Sequence, residues 1–278
     1  MIPPTSIDGT DITGATIDGT DVQEITVDGD VVFSATTLPV AYSNLVAWYP
    51  FDSATYGGSD ADDVTGIIGG SGDDTGYDGT VSGASYQSSG GVTDIRAGAN
   101  SGAFDFDGND EIVLNNFGNL GSVIDTNFTL TMNVKTSDGS FNGLFGKGPT
   151  GNTSQMQANI GGFDGPNGSY QLFFRDDTAT DVSVTAPATV DNTYHHVAFV
   201  RRGSSDTDME IFEDGGTPLS TTSHRSSSVG NISDFTVNPE IGNVAGGTGG
   251  NYTIDDVRIY NTDLSQSQIQ AIVDNTPA

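Results

Sequence analysis

The chain has 278 residues, no cysteine, 37 acidic side chains (32 Asp, 5 Glu) against 8 basic ones (6 Arg, 2 Lys), and a formal net charge of −29. Without cysteine there is no disulfide, thiolate metal centre or cysteine nucleophile, and without a basic patch nothing displaces counterions from nucleic acid or binds an anionic membrane surface. No run of 18 apolar residues occurs, so no segment reads as a membrane-spanning helix.

The opening segment repeats Asp-Gly every ten residues, at Asp8-Gly9, Asp18-Gly19 and Asp28-Gly29, each preceded by Ile or Val. Asp-Gly between β-branched residues predicts hairpins, because a type I′ turn needs positive φ at both central positions. Residues 1–36 therefore read as a small antiparallel β-meander of three or four strands. Such a sheet has one apolar face and nothing to cover it; few strands alone are marginal in water, and open edges invite pairing. The segment is expected to anchor or oligomerise the protein on copies of itself or on a larger assembly. Residues 37–43, with Pro39, read as a linker, and 44–278 as one large all-β domain.

Within that domain LVAWYPFDS (from Leu45) is strand-like, and residues 57–79 form a Gly-rich acidic loop. AFDFDGNDEIVL (Ala103 to Leu114) reads as a hairpin. FTLTMNV alternates, with Phe128, Leu130, Met132 and Val134 on one face. LFGKG, YQLFFRDD, VSVTAP, YHHVAFVRR, MEIFEDG and YTIDDVRIY follow as further strands. LSQSQIQAIVD predicts one short terminal helix, with capping-box spacing at Ser265 and Gln268 and an apolar stripe of Ile269, Ile272 and Val273. About a dozen short strands and one helix predict an antiparallel two-sheet jelly-roll sandwich.

The order of these pieces resembles the laminin-G-like, concanavalin A-like jelly-roll family, from about Leu45 to Val273. The matching segments are LVAWYPFDS, DVTG followed by DGTV, AFDFDGNDEIVL, FTLTMNVKTSDG, LFGKG, YHHVAFVRRG, EIFEDG and IDDVRIYNTDLSQSQIQAI. The family commonly has Trp where Tyr194 and Asn133 stand here; only Trp48 is present. The resemblance implies a structural calcium held by Asp63 and Gly66 of DVTG, Asp78 of YDGTV and Asp255 of IDDVRIY; calcium takes carboxylate and carbonyl oxygens.

Catalysis is not expected. Glucanases on this jelly roll carry E-x-D-x-E on one strand, which aims carboxylates into one cleft. Here the five glutamates are Glu24, Glu111, Glu210, Glu213 and Glu240, and Glu210 and Glu213 face opposite sides of a strand. His195 and His196 also point to opposite faces: one is expected to be a core histidine satisfied by hydrogen bonds, the other superficial. Two adjacent histidines without a third make a poor zinc set. Tyr170, Phe174 and Arg175 combine aromatic faces with a hydrogen-bonding group as a glycan site would, although ordinary core strands carry the same residues.

Asp over Glu, Arg over Lys and few lysines together resemble proteins of extreme halophiles, where high ionic strength screens a charge of this size. The opening repeat, ending VDGDVVFSA, resembles N-terminal segments of virion proteins in tailed viruses of haloarchaea. MIPPTSIDG has no positive n-region or apolar h-region, so it does not read as a secretory signal. These resemblances imply a non-enzymatic virion surface protein, a tail fibre or capsid decoration, assembled in the host cytoplasm. Residues 1–36 would join it to copies of itself and to other virion proteins, while the jelly roll touches host surface glycoprotein or glycan. The alternatives are a structural decoration without ligand and a haloarchaeal envelope carbohydrate-binding protein.

Overall fold

A computed structural model describes residues 6–7, 10–11, 16–17, 20–21, 24–27, 30–34, 44–51, 60–61, 77–92, 102–147, 154–162, 164–226, 228–232, 238–242 and 251–275. The chain divides into two compact units, Met1–Pro39 and Val40–Ala278.

In the first unit the described residues pair on either side of each Asp-Gly. β1 (Ser6–Ile7) pairs with β2 (Thr10–Asp11), β3 (Thr16–Ile17) with β4 (Thr20–Asp21), and β5 (Glu24–Val27) with β6 (Asp30–Ser34). The pairing among the described residues is local, giving three two-stranded sheets and not one continuous meander of three or four strands. Among the described residues only the last pair extends beyond two residues per strand, with Ile25 opposite Phe33 and Thr26 opposite Val31.

The second unit begins with β7 (Leu45–Tyr49), β8 (Asp60–Ala61), β9 (Gly79–Ser82), β10 (Ser85–Gln87), β11 (Ala103–Phe106) and β12 (Glu111–Leu114). A short helix, Leu120–Ile124, leads into β13 (Phe128–Thr136), β14 (Asn142–Gly146), β15 (Gln155–Ile160), β16 (Ser169–Arg175), β17 (Asp181–Pro187) and β18 (Tyr194–Arg201). β19 (Met209–Glu213), β20 (Thr222–Ser226), β21 (Glu240–Gly242), β22 (Tyr252–Tyr260) and the terminal helix Gln266–Asn275 complete it. The sequence gives no periodic signal for the five-residue helix at 120–124.

The strands form two antiparallel sheets. The seven-stranded sheet runs β10-β11-β22-β13-β18-β19, with β7 beside the second half of β22. The nine-stranded sheet runs β20-β17-β16-β15-β14-β21-β12-β9-β8. Between them lies the core, built from alternate residues: Phe128, Leu130, Met132 and Val134 of β13 meet Met156, Ala158 and Ile160 of β15 and Leu172 and Phe174 of β16 in one buried cluster. Each buried side chain of this size contributes about 1.5–3 kcal/mol.

One expectation is corrected here. AFDFDGNDEIVL is not a hairpin: β11 joins the seven-stranded sheet and β12 the nine-stranded one, so 107–110 is an arch between layers. Phe104 and Phe106 enter the core from one side, Ile112 and Leu114 from the other.

Candidate functional site

Alternation fixes which residues each sheet turns away from the core. On the seven-stranded sheet three cross-strand rungs matter. The first is Asp105–Thr253–Lys135–Tyr194, the second Asp255–Asn133–His196, and the third Trp48–Arg258–Thr131–Ala198.

The third rung is closed by the chain itself. Arg258 stacks on Trp48 at 4.4 Å from the ring centroid and makes a two-pronged contact with Asp256 at 2.9 and 2.8 Å. The Trp48 indole nitrogen donates to the same carboxylate at 2.6 Å. Burial alone would lower the Arg258 pKa, but the Asp256 charge more than offsets it and raises the pKa. Asp256 sits at φ 50, in a bulge where β22 has an extra residue against β13. Beside this cluster the terminal helix lays Ile269 and Ile272 on Ala198, Val200, Phe212 and Tyr260.

The second rung is buried, and two of its three side chains carry unsatisfied atoms. Asn133 Nδ2 and both ring nitrogens of His196 have no hydrogen-bond partner. Burial pushes the His196 pKa down to about 4, with Asp256 opposing and Arg258 reinforcing. The histidine expectation is therefore corrected: the core histidine is the unbonded one. His195 is the satisfied one, with Nδ1 2.8 Å from Asp214 and Nε2 3.1 Å from Thr193 and 3.2 Å from Asp191. Its partial burial favours the neutral ring, but these carboxylates and Glu213 outweigh that and raise its pKa.

The first rung opens into a cleft of about 380 Å³. Asp105, Lys135 and Thr253 form its sheet side; Asp107, Ser137, Asn192 and Asn251 come from the chain ends around it, and Phe106 and Tyr252 stack beneath at 5.2 Å. Thr253 donates to Asp105 at 2.6 Å, and Lys135 lies over the Tyr194 ring at 5.6 Å. Burial and the Asp255 and Asp105 charges raise the Tyr194 pKa. Asn192 has φ 67, a conformation Asn tolerates well, and its N–H donates to Thr136 at 2.8 Å. The wall thus offers carboxylates, amides, hydroxyls and one ammonium in a single opening. Its signal in the sequence is weak: polar residues at outward positions of otherwise apolar strands, joined only by long-range register.

On the nine-stranded sheet the outward residues are mostly polar. Arg225 bonds Asp164 and Asp181, Arg175 bonds Asp181, and both guanidinium groups lie over Phe173 at 5.4 and 5.8 Å. Asp164 also accepts from Gln171 and Ser183 at 2.9 Å. Further along, Glu240 has its pKa raised to about 7 by burial and by the Glu111 charge. Glu210 and Glu213 diverge as expected: Glu210 bonds Arg202, whereas Glu213 accepts from Tyr170 Oη at 3.0 Å.

Two sets of expected residues fare differently. Tyr170 and Phe174 face the core at 1% and 0% exposure and Arg175 is locked to Asp181, so this trio is not a glycan platform. Of the expected calcium ligands, Asp63 and Gly66 lie outside the described residues. Asp255 is fully buried and accepts the N–H of Val92 and of Asp256, each at 2.7 Å, pinning that segment to the sheet. Asp78 is half-buried, and its carbonyl accepts from Asn115 at 2.9 Å. Among the described residues no three acidic or histidine side chains gather as a metal-holding group.

Residues 106–270, more than half of the chain, match the laminin G type model described as the concanavalin A-like lectin/glucanases superfamily. A search of curated proteins gives no significant match. Among solved structures, the receptor binding domain of botulinum neurotoxin C/D mosaic serotype is similar with a TM-score of 0.57 at 12% identity, over 84% of this chain and 52% of that one. The botulinum neurotoxin type G receptor binding domain gives 0.56 at 12%, over 83% and 51%. Trypanosoma rangeli sialidase, in complex with 2,3-difluorosialic acid, gives 0.54 at 16%, over 86% and 33%. The chain spans about half the length of the toxin domains and a third of the sialidase. At these identities the likeness is one of fold.

Proposed function

The chain belongs to the concanavalin A-like lectin/glucanases superfamily, and on that premise we propose that it is a non-enzymatic surface protein of a virion that binds host envelope glycans or glycoprotein. The lectin-like fold and the receptor-binding domains among its structural neighbours favour a carbohydrate- or receptor-binding role. The observation that carries the reading is the cleft of about 380 Å³, a volume suited to one or two sugar rings, lined by Asp105, Asp107, Lys135, Ser137, Asn192, Asn251 and Thr253. Such alternating donors and acceptors suit a ligand made of hydroxyl groups. The halophilic composition and the Asp-Gly tandem of residues 1–36 supply the particle, with the tandem as its point of attachment and self-association. Weak single contacts would add by avidity across copies.

Labelled full-length protein incubated with haloarchaeal cells in multimolar salt tests this. Saturable binding that falls at least tenfold in Asn192→Ala and Asn251→Ala is the expected result; no binding by folded protein would leave a structural decoration. Release of sugar from the same cells would replace binding with hydrolysis. Structural calcium through Asp63, Gly66, Asp78 and Asp255 belongs to the same proposal, and a melting temperature that rises with calcium and falls with a chelator checks it.

A further inference from the structure

On the outward face of the nine-stranded sheet, β14 presents no side chain over two register positions. Gly143 lies opposite Asn159, and Gly146 lies between Gln157 of β15 and Glu240 of β21. Gly146 has φ 142, and a Cβ there would sit 2.1 Å from the Met156 carbonyl oxygen, so no other residue fits. The result is a trough one strand wide, since neighbouring strands lie about 4.8 Å apart.

Both banks of the trough carry oxygen. On one bank are Glu240 and, from the adjacent β12, Glu111, whose register partner is Gly242; the two carboxylates are diagonal neighbours on one face. On the other are Gln157 Oε1 and Asn159 Oδ1, neither with a hydrogen-bond partner, in side chains only 2% and 0% exposed. Asn159 turns its nitrogen toward Gln171 of β16, at 3.5 Å, which leaves the oxygen for another neighbour. Glu240 has no basic partner among the described residues. Like charges near each other across a strand pair are unfavourable, and buried acceptors without a donor bear their desolvation uncompensated. One species relieves both costs together: a cation that prefers oxygen.

We propose that Glu240, Gln157 and Asn159, with Glu111 behind them, hold a divalent cation of the calcium type above Gly146. Carboxylate and amide carbonyl oxygens are the ligands such a hard ion takes, with water completing its shell. The glycine strand gives the ion its seat, and the two amide oxygens stop being unmet. This site shares no residue with Asp63, Gly66, Asp78 and Asp255, and it does not depend on the glycan reading.

Calorimetric titration of calcium chloride into the chelator-treated full chain tests the proposal. Glu240→Gln removes the charge at nearly constant shape, and Gln157→Met removes only the amide. Near-UV circular dichroism confirms that each variant keeps its packing, and Asp63→Asn serves as the control for the other expected ligand set. The expected result is a saturable binding event that weakens at least tenfold in Glu240→Gln and in Gln157→Met and that is retained in Asp63→Asn, whatever second event Asp63→Asn removes. No calcium binding by the wild-type chain, wild-type affinity in both trough variants, or loss confined to Asp63→Asn would each overturn it.

Discussion

The two outward faces of the sandwich share one core and end differently. The seven-stranded face is finished by the chain itself: the terminal helix covers Ala198, Val200 and Phe212, and Trp48, Arg258 and Asp256 close the next stretch. The nine-stranded face is finished in polar atoms, some locked by Arg225 and Asp164, others, like Gln157 and Asn159, left unmatched. Buried atoms without a partner occur on both faces, at Asn133 and His196 on the first and at Gln157 and Asn159 on the second; what sets the seven-stranded face apart is its apolar and ionic closure. Substitutions separate the two.

The largest effect is expected at Asp256. Asp256→Ala leaves the Arg258 guanidinium buried at 1% exposure without its carboxylate, and removes the acceptor of the Trp48 indole. Breaking one side of a buried pair costs about 3–5 kcal/mol, read as a fall in the denaturant midpoint. A loss under about 1 kcal/mol would mean that water reaches the pair. Next is Ile272→Ala, which empties the helix contact on the same sheet; about 2–4 kcal/mol is expected from lost burial plus cavity.

How far the sequence speaks for these features depends on range. Alternation in FTLTMNV predicts the buried face of β13, Asp-Gly predicts three hairpin loops, and Ser265 with Gln268 predicts the start of the terminal helix, because each is set within a few residues. The arch at 107–110 defeats the same logic: its turn residues look like a hairpin's, and only the choice of sheet tells them apart. The cleft is harder still. Asp105 meets Thr253 across 148 positions, and nothing local to AFDF or YTI specifies that register. Tyr194 is conspicuous only as a departure from the family's Trp, and Glu240 looks like any surface glutamate until Glu111 is placed beside it.

The adjacent histidines offer opposite pH responses. His196 has its folded pKa at about 4, below the ordinary 6.5, so its contribution is intact above pH 6.5 and is lost as pH falls toward 4, by about 3 kcal/mol in all. His195 has a raised pKa, so its contribution is complete below pH 6.5 and is lost as pH rises through the folded value. In melting temperatures measured from pH 4 to 9, His196→Leu should flatten the acid side and His195→Gln the alkaline side. Identical profiles for both variants would contradict the different surroundings of the two rings.

A smaller effect is expected at the helix start. Ser265 N–H donates to Gln268 Oε1 at 2.9 Å, while Ser265 Oγ lies 3.4 Å from the Gln268 N–H. The second bond is long, so Ser265→Ala should cost about 0.5–1 kcal/mol, at the low end for such caps. Combined with Ile272→Ala it should add less than fully, since both loosen the same helix.

The smallest change, and the sharpest for the comparison, is Gln157→Met without calcium. On the seven-stranded face Asp256→Ala and Ile272→Ala each lose a matched contact. Gln157 Oε1 has no hydrogen-bond partner, yet the side chain is only 2% exposed, so the chain bears the desolvation of that oxygen without return. Replacing it with an apolar side chain of similar volume should leave stability unchanged or raise it by about 1 kcal/mol. With calcium present the sign should reverse, because the wild-type chain alone gains the ion's binding free energy. A loss of stability in both conditions would mean that the amide has structural work of its own on this face, and the contrast between the two sheets would lose its basis.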